Sequence, residues 1–230
     1  MIKKIKESMR KNTVNWCVIT IFIIVLSVLA FVYLSSDKRI EFVFSEHLDE
    51  TAFEINGECI TLKYAAYYLM VIETNVNEAA LEYNADNPIE YWNLYLNDGK
   101  EESNFLRTQA KQDAMDACIR DVIYYNEALT EGIVLDRSEE KECSKDAYEQ
   151  ERLLTGKQVN VTEYDNSDLY DAIRRTAIIK KYMTKLMDEG YSEEELDVGG
   201  EYYQKIKEQY DVKVNDDLWE KITLGELTIN

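Results

Sequence analysis

Between Trp16 and Leu34 the chain runs through nineteen consecutive residues without a charge. A helix of that length rises about 28 Å, close to the ~30 Å hydrocarbon layer of a bilayer. No polar face interrupts the run, so an ordinary buried helix describes it poorly. Trp16 and Tyr33 sit near its ends, where aromatic rings favour the membrane interface. Lys3, Lys4, Lys6, Arg10 and Lys11 precede it, and the positive-inside rule puts that flank in the cytoplasm. A cleaved signal peptide is the alternative, but its apolar region is shorter, ~7–15 residues, and ends at small residues. "FVYLSSDK" offers no such site, and no Cys follows the run to carry a lipid. The reading is therefore a cytoplasmic basic tip (1–13), a transmembrane signal anchor (14–34), a polar linker (35–52) and an extracytoplasmic body (53–230), in a single-pass protein of the cell membrane.

The body is strongly acidic. Of 26 basic and 45 acidic residues in the chain, 21 and 44 fall after residue 13. Such a surface excludes nucleic acid as a partner, because phosphate binding needs clustered Lys and Arg. With 46% hydrophobic residues the chain has enough apolar surface for a packed core. One proline, Pro88, and eight glycines in 230 residues favour helices over an all-β design.

Periodicity gives the same answer. Residues 62–83 place Leu62, Ala65, Leu69, Ile72, Val76, Ala80 and Tyr83 at three- and four-residue steps. Tyr64, Tyr67, Tyr68 and Val71 form a second apolar flank, which makes this helix central or partner-facing. Residues 103–131 form the longest amphipathic run, stopped at Gly132. Asp136 with Glu139 reads as a capping box that opens a solvated helix to about 154. Helices at 167–188 and 193–210 follow, the second capped by Ser192 and Glu195. Residues 84–103 read as a connection with a short aromatic turn, and 155–166 as a loop.

Two short alternating stretches bracket the helices. "FEINGECI" (53–60) carries an Asn-Gly turn, the strongest two-residue hairpin signal, and "DVKV" (211–214) comes near the other end. Either alone would be an unpaired edge. Paired, they close a mainly α domain with a two- or three-stranded sheet made from its two ends, with Trp219 packing nearby.

Catalytic signatures are missing from the sequence: no metal-binding HExxH, phosphate-cradling glycine loop or nucleophile elbow occurs. The one histidine, His47, lies in the linker. The four cysteines (17, 59, 118, 143) have no paired spacing and read as small buried hydrophobes. No cofactor or metal is expected, and the chain reads as a non-enzyme. Binding is what remains. Seventeen Tyr and three Trp suit sequence-tolerant contact, since these side chains give apolar area at modest entropy cost. Tyr68, Tyr91, Trp92, Tyr95, Tyr124 and Tyr125 are the candidate peptide-binding residues, expected to line a groove beside the first two long helices.

The segments "INGECITLKYAAYYL", "YW" at 91–92, "AMDACIRDVIYYNEALTEGIVLDRSEE" and "YYQKIKEQYDVKVNDDLW", in that order, resemble the N-terminal domain of the SurA/PrsA family of extracytoplasmic foldases. The resemblance spans about 53–219. It implies a helper that cradles unfolded or exported polypeptides. Family members carry a parvulin prolyl isomerase domain after the strand that follows the last helix. Only about ten residues follow here, so isomerase activity is not carried over. Two functions of different class follow: a chaperone-like binder of unfolded chains, or a structural adaptor docking one fixed envelope partner.

Overall fold

The computed structural model describes residues 42–96 and 104–229. The basic tip and the anchor at 14–34 lie outside them. No helix among the described residues is long and apolar enough to cross a membrane.

Strand β1 (Thr51–Ile55) turns at Asn56–Gly57 into β2 (Glu58–Thr61). Both turn residues have positive φ, 51° and 84°, the geometry that matches the twist of antiparallel strands. Strand β5 (Val212–Val214) pairs antiparallel with the other edge of β1, setting Phe53 opposite Val214 and Ile55 opposite Val212. The sheet order is therefore β2-β1-β5, with the expected closure of the two ends. Phe53 and Ile55 point inward and are fully buried, while Glu54 on the other face meets Lys213 at 2.8 Å. The Trp219 ring lies 5.1 Å from that of Phe53, and its indole N–H donates to the Ala52 carbonyl.

The domain starts before residue 53. A 3-10 turn at Phe44–His47 buries Phe44, and Leu48 is buried after it. The amides of Leu62 and Lys63 donate back to the carbonyls of Glu50 and Leu48. A three-residue apolar run, Phe42 to Phe44, and Leu48 beyond it give no sustained period among acids, so the stretch reads as linker.

Four long helices make the body: α1 (Leu62–Tyr83), α3 (Leu106–Thr130), α4 (Arg137–Leu153) and α6 (Asn166–Asp188). Thr61 caps α1, Asp136 with Glu139 caps α4, and Asp165 with Asp168 caps α6. In space they run α1-α3-α6-α4. Ala110, Ala114 and Cys118 on α3 are buried, and such small side chains let neighbouring helices approach closely. Helix α4 is outermost and buries only Cys143 and Ala147.

Shorter elements depart from the sequence reading. The 84–103 connection contains α2 (Ile89–Trp92) and begins a hairpin of β3 (Tyr95–Leu96) with β4 (Asn104–Phe105). The expected loop at 155–166 contains α5 (Gly156–Thr162), capped by Thr155 with Gln158 returning to the cap. The expected helix at 193–210 is two, α7 (Glu193–Leu196) and α8 (Glu201–Lys207). The backbone folds so tightly at the break that a Cβ on Gly200 would sit 2.2 Å from the Glu195 carbonyl oxygen. Finally α9 (Asp216–Trp219) leads into a segment without helix or strand that ends the described residues. Of the described cysteines, Cys118 and Cys143 are buried as expected, Cys59 on β2 is exposed, and all three are free.

Candidate functional site

The six expected aromatics do not line one groove. Trp92 and Tyr124 are fully buried and belong to the core. Tyr124 sits edge-on to Tyr182 and Tyr203, and its hydroxyl donates to the Leu196 carbonyl at 2.7 Å. Helical spacing places these side chains on an apolar face but does not say whether another helix covers it. Here α6 and α8 do. Tyr125 is half-buried on α3, beside the Arg174 guanidinium. Tyr91 and Tyr95 reach one surface, and Tyr68 lies half-buried behind the wall of a second.

The first surface spans the end of α1, α2 and the β3–β4 hairpin. Tyr91 packs on Tyr83 with ring centroids 5.4 Å apart, and Tyr95 meets Phe105 edge-on at 6.0 Å. Tyr83 and Tyr95 are each 57% exposed and Phe105 47%. The hairpin brings Phe105 opposite Tyr95, a pairing that linear sequence hides because ten residues separate them.

The second surface is a cavity of about 200 Å³ between α1 and α6, lined by Tyr64, Tyr67, Tyr164, Lys63, Asp168 and Arg175 among others. Its α1 wall is the second apolar flank noted in the sequence. The Arg175 guanidinium lies 4.2 Å above the Tyr64 ring, a favourable cation–π distance. Lys63 pairs with Asp168 at 2.9 Å, and Tyr164 donates to the Lys63 carbonyl at 2.6 Å. Behind the wall, Tyr68 donates to Asp121, which also accepts from Arg120. Burial pushes the phenols of Tyr64, Tyr68 and Tyr164 up, so they act as neutral donors. Burial also raises the Asp121 carboxyl, against the opposing pull of Arg120. It raises the Cys118 thiol too, which leaves that sulfur protonated and unreactive.

A larger groove of about 510 Å³ runs between α4 and α6. Leu135, Cys143, Ile173 and Ala177 contribute apolar atoms to it, and the Lys181–Glu139 pair stands among its charged lining residues. No sequence signal marks it, because α4 carries only a thin apolar stripe.

The first of these surfaces presents aromatic rings, and the other two combine apolar atoms with charged side chains. Protein-family models, curated proteins and solved structures were each compared with the chain, and none matches it.

Proposed function

We propose that this protein is a membrane-anchored, extracytoplasmic, chaperone-like binder of unfolded or exported polypeptides, without catalysis. In layout it is akin to the N-terminal domain of the SurA/PrsA foldases. The observation that carries this reading is the pair of open aromatic contacts, Tyr83–Tyr91 and Tyr95–Phe105, on an otherwise acidic body. Large apolar rings left in water mark interaction surfaces. Contacts without placed polar groups give weak, sequence-tolerant binding, as a holder of unfolded chains requires.

The test is light scattering of an unrelated denatured protein in the presence of residues 43–230, a compact unit in themselves. Suppressed aggregation is expected, with no change in prolyl isomerisation rate. Changing Tyr83, Tyr95 and Phe105 to Ser should weaken suppression while the far-UV circular dichroism stays the same. A body that protects nothing, yet retrieves one stoichiometric partner from membranes, would establish the fixed-partner adaptor instead.

A further inference from the structure

Glu73 is an acid in the middle of α1, and it is fully buried. Such a carboxylate is tolerated only where donors replace its water. All four that it meets come from one short segment. The amides of Gly225, Leu227 and Thr228 donate to it at 2.6, 2.9 and 2.5 Å, and the Thr228 hydroxyl at 2.6 Å. Lys157, brought up by α5, donates to the carbonyls of Glu226 and Ile229. Trp92 of α2 supplies a wall. A Cβ on Gly225 would lie 2.9 Å from the indole Cγ, and Gly225 has a φ of +102° that favours glycine.

The segment 223–229 is held as a ligand is held. Among the described residues its backbone makes no backbone–backbone hydrogen bond; the bonds go to Glu73 and Lys157 side chains. Most of these contacts read only the main chain. Selectivity rests on glycine against Trp92, a hydroxyl three residues later, and apolar side chains at the buried Leu224 and the half-buried Leu227 and Ile229. Two further buried polar atoms lack a partner among the described residues: Oδ1 of Asn77, one helical turn from Glu73, and Nε1 of Trp92. An apolar residue at 73 would fasten a permanent tail without a buried charge to compensate; a carboxylate matched by three main-chain amides and one side-chain hydroxyl fits a replaceable peptide.

We infer that Glu73, Trp92 and Lys157 form a binding site for an extended segment of another polypeptide, of the pattern apolar-Gly-x-apolar-Ser/Thr-apolar, which residues 224–229 fill in cis. This adds to the polypeptide-binding reading a second site, and its chemistry is separate from the exposed aromatics. Tethering gives the internal segment a high effective concentration, so an outside peptide competes poorly until the internal one is loosened.

The test uses the full chain and a labelled synthetic peptide of residues 222–229, followed by fluorescence anisotropy. Gly225→Ala in the chain weakens the internal segment, so the peptide should bind at least about tenfold more tightly than to the wild type. Adding Glu73→Gln to that variant should remove the gain, and a peptide with Ala in place of its Gly should not bind. A folded Gly225→Ala variant with no gain would overturn the site. If that variant does not fold, hydrogen exchange of the wild type decides. The amides of Gly225, Leu227 and Thr228 should exchange by local opening, well before those of Cys118–Ile123. Exchange of both sets only together would make the segment core and refute the inference. A concentration-dependent dimer of the unmodified chain, dissociated by the peptide, would assign the site to a second copy and refute the separate partner. Light scattering on the same variants is read independently: lost peptide binding with retained suppression of aggregation sinks this site and not the proposed function.

Discussion

Asp121 illustrates how a residue's role is set by what covers it. On α3 it is only 9% exposed, and its oxygens accept from Arg120 at 3.0 Å and Tyr68 at 3.2 Å. Burial wins over these partners and raises its carboxyl above the ordinary 3.8. The folded state then binds more proton than the unfolded chain in the window above 3.8. The associated stability is full below that window and is lost as pH rises through the raised value. Asp121→Asn removes this titration. Denaturant unfolding measured from pH 3 to 7 should show the Asn variant gaining on the wild type as pH rises; a constant difference would contradict the raised carboxyl.

At the scale of elements, α5 shows how a short helix positions one side chain. It has seven residues, too few to be stable alone, and the Thr155–Gln158 capping box fixes its start. That start delivers Lys157 to the carbonyls of 226 and 229. Thr155→Ala should cost about 1 kcal/mol of stability in denaturant titration, the usual loss for a missing cap. It should also speed amide exchange in 225–228, because Lys157 is no longer held in place. Unchanged exchange there would separate the helix from the segment. The Thr-x-x-Gln spacing was readable in the sequence, but a two-turn element surrounded by polar residues offers no apolar period to confirm it.

At the scale of the molecule, the stretch from Asp211 onward binds the two ends of the body together. It supplies β5 and the buried Leu218, Trp219 and Ile222. Lys111 of α3 reaches over to the carbonyls of Trp219 and Ile222 at 2.8 and 2.9 Å. Burying each large apolar side chain contributes roughly 1.5–3 kcal/mol, against a total stability of about 5–15 kcal/mol for a domain. Deleting residues 211–230 should therefore abolish cooperative unfolding of the body. Trp219→Ala alone should lower stability by about 3–5 kcal/mol and leave it folded. A sharp transition in the deletion variant would show that the helices need no closing sheet.

The sequence by itself determined the four long helices, the caps at Asp136 and Ser192, the Asn56–Gly57 turn and the pairing of its strand with Val212–Val214. Each depends on local spacing or on the lack of any other partner for an edge strand, and both are written in linear order. It also singled out the tyrosine flank of α1. Tertiary structure alone decided which aromatics stay in water: Trp92 and Tyr124 are covered, while Tyr95 is 57% exposed. A side chain's own helix cannot report what packs over it. Tertiary structure likewise made Glu73 a buried acceptor for amides more than 150 positions away. In sequence Glu73 is one more acid on an acidic helix, because the donors that replace its water are brought to it only when the chain folds.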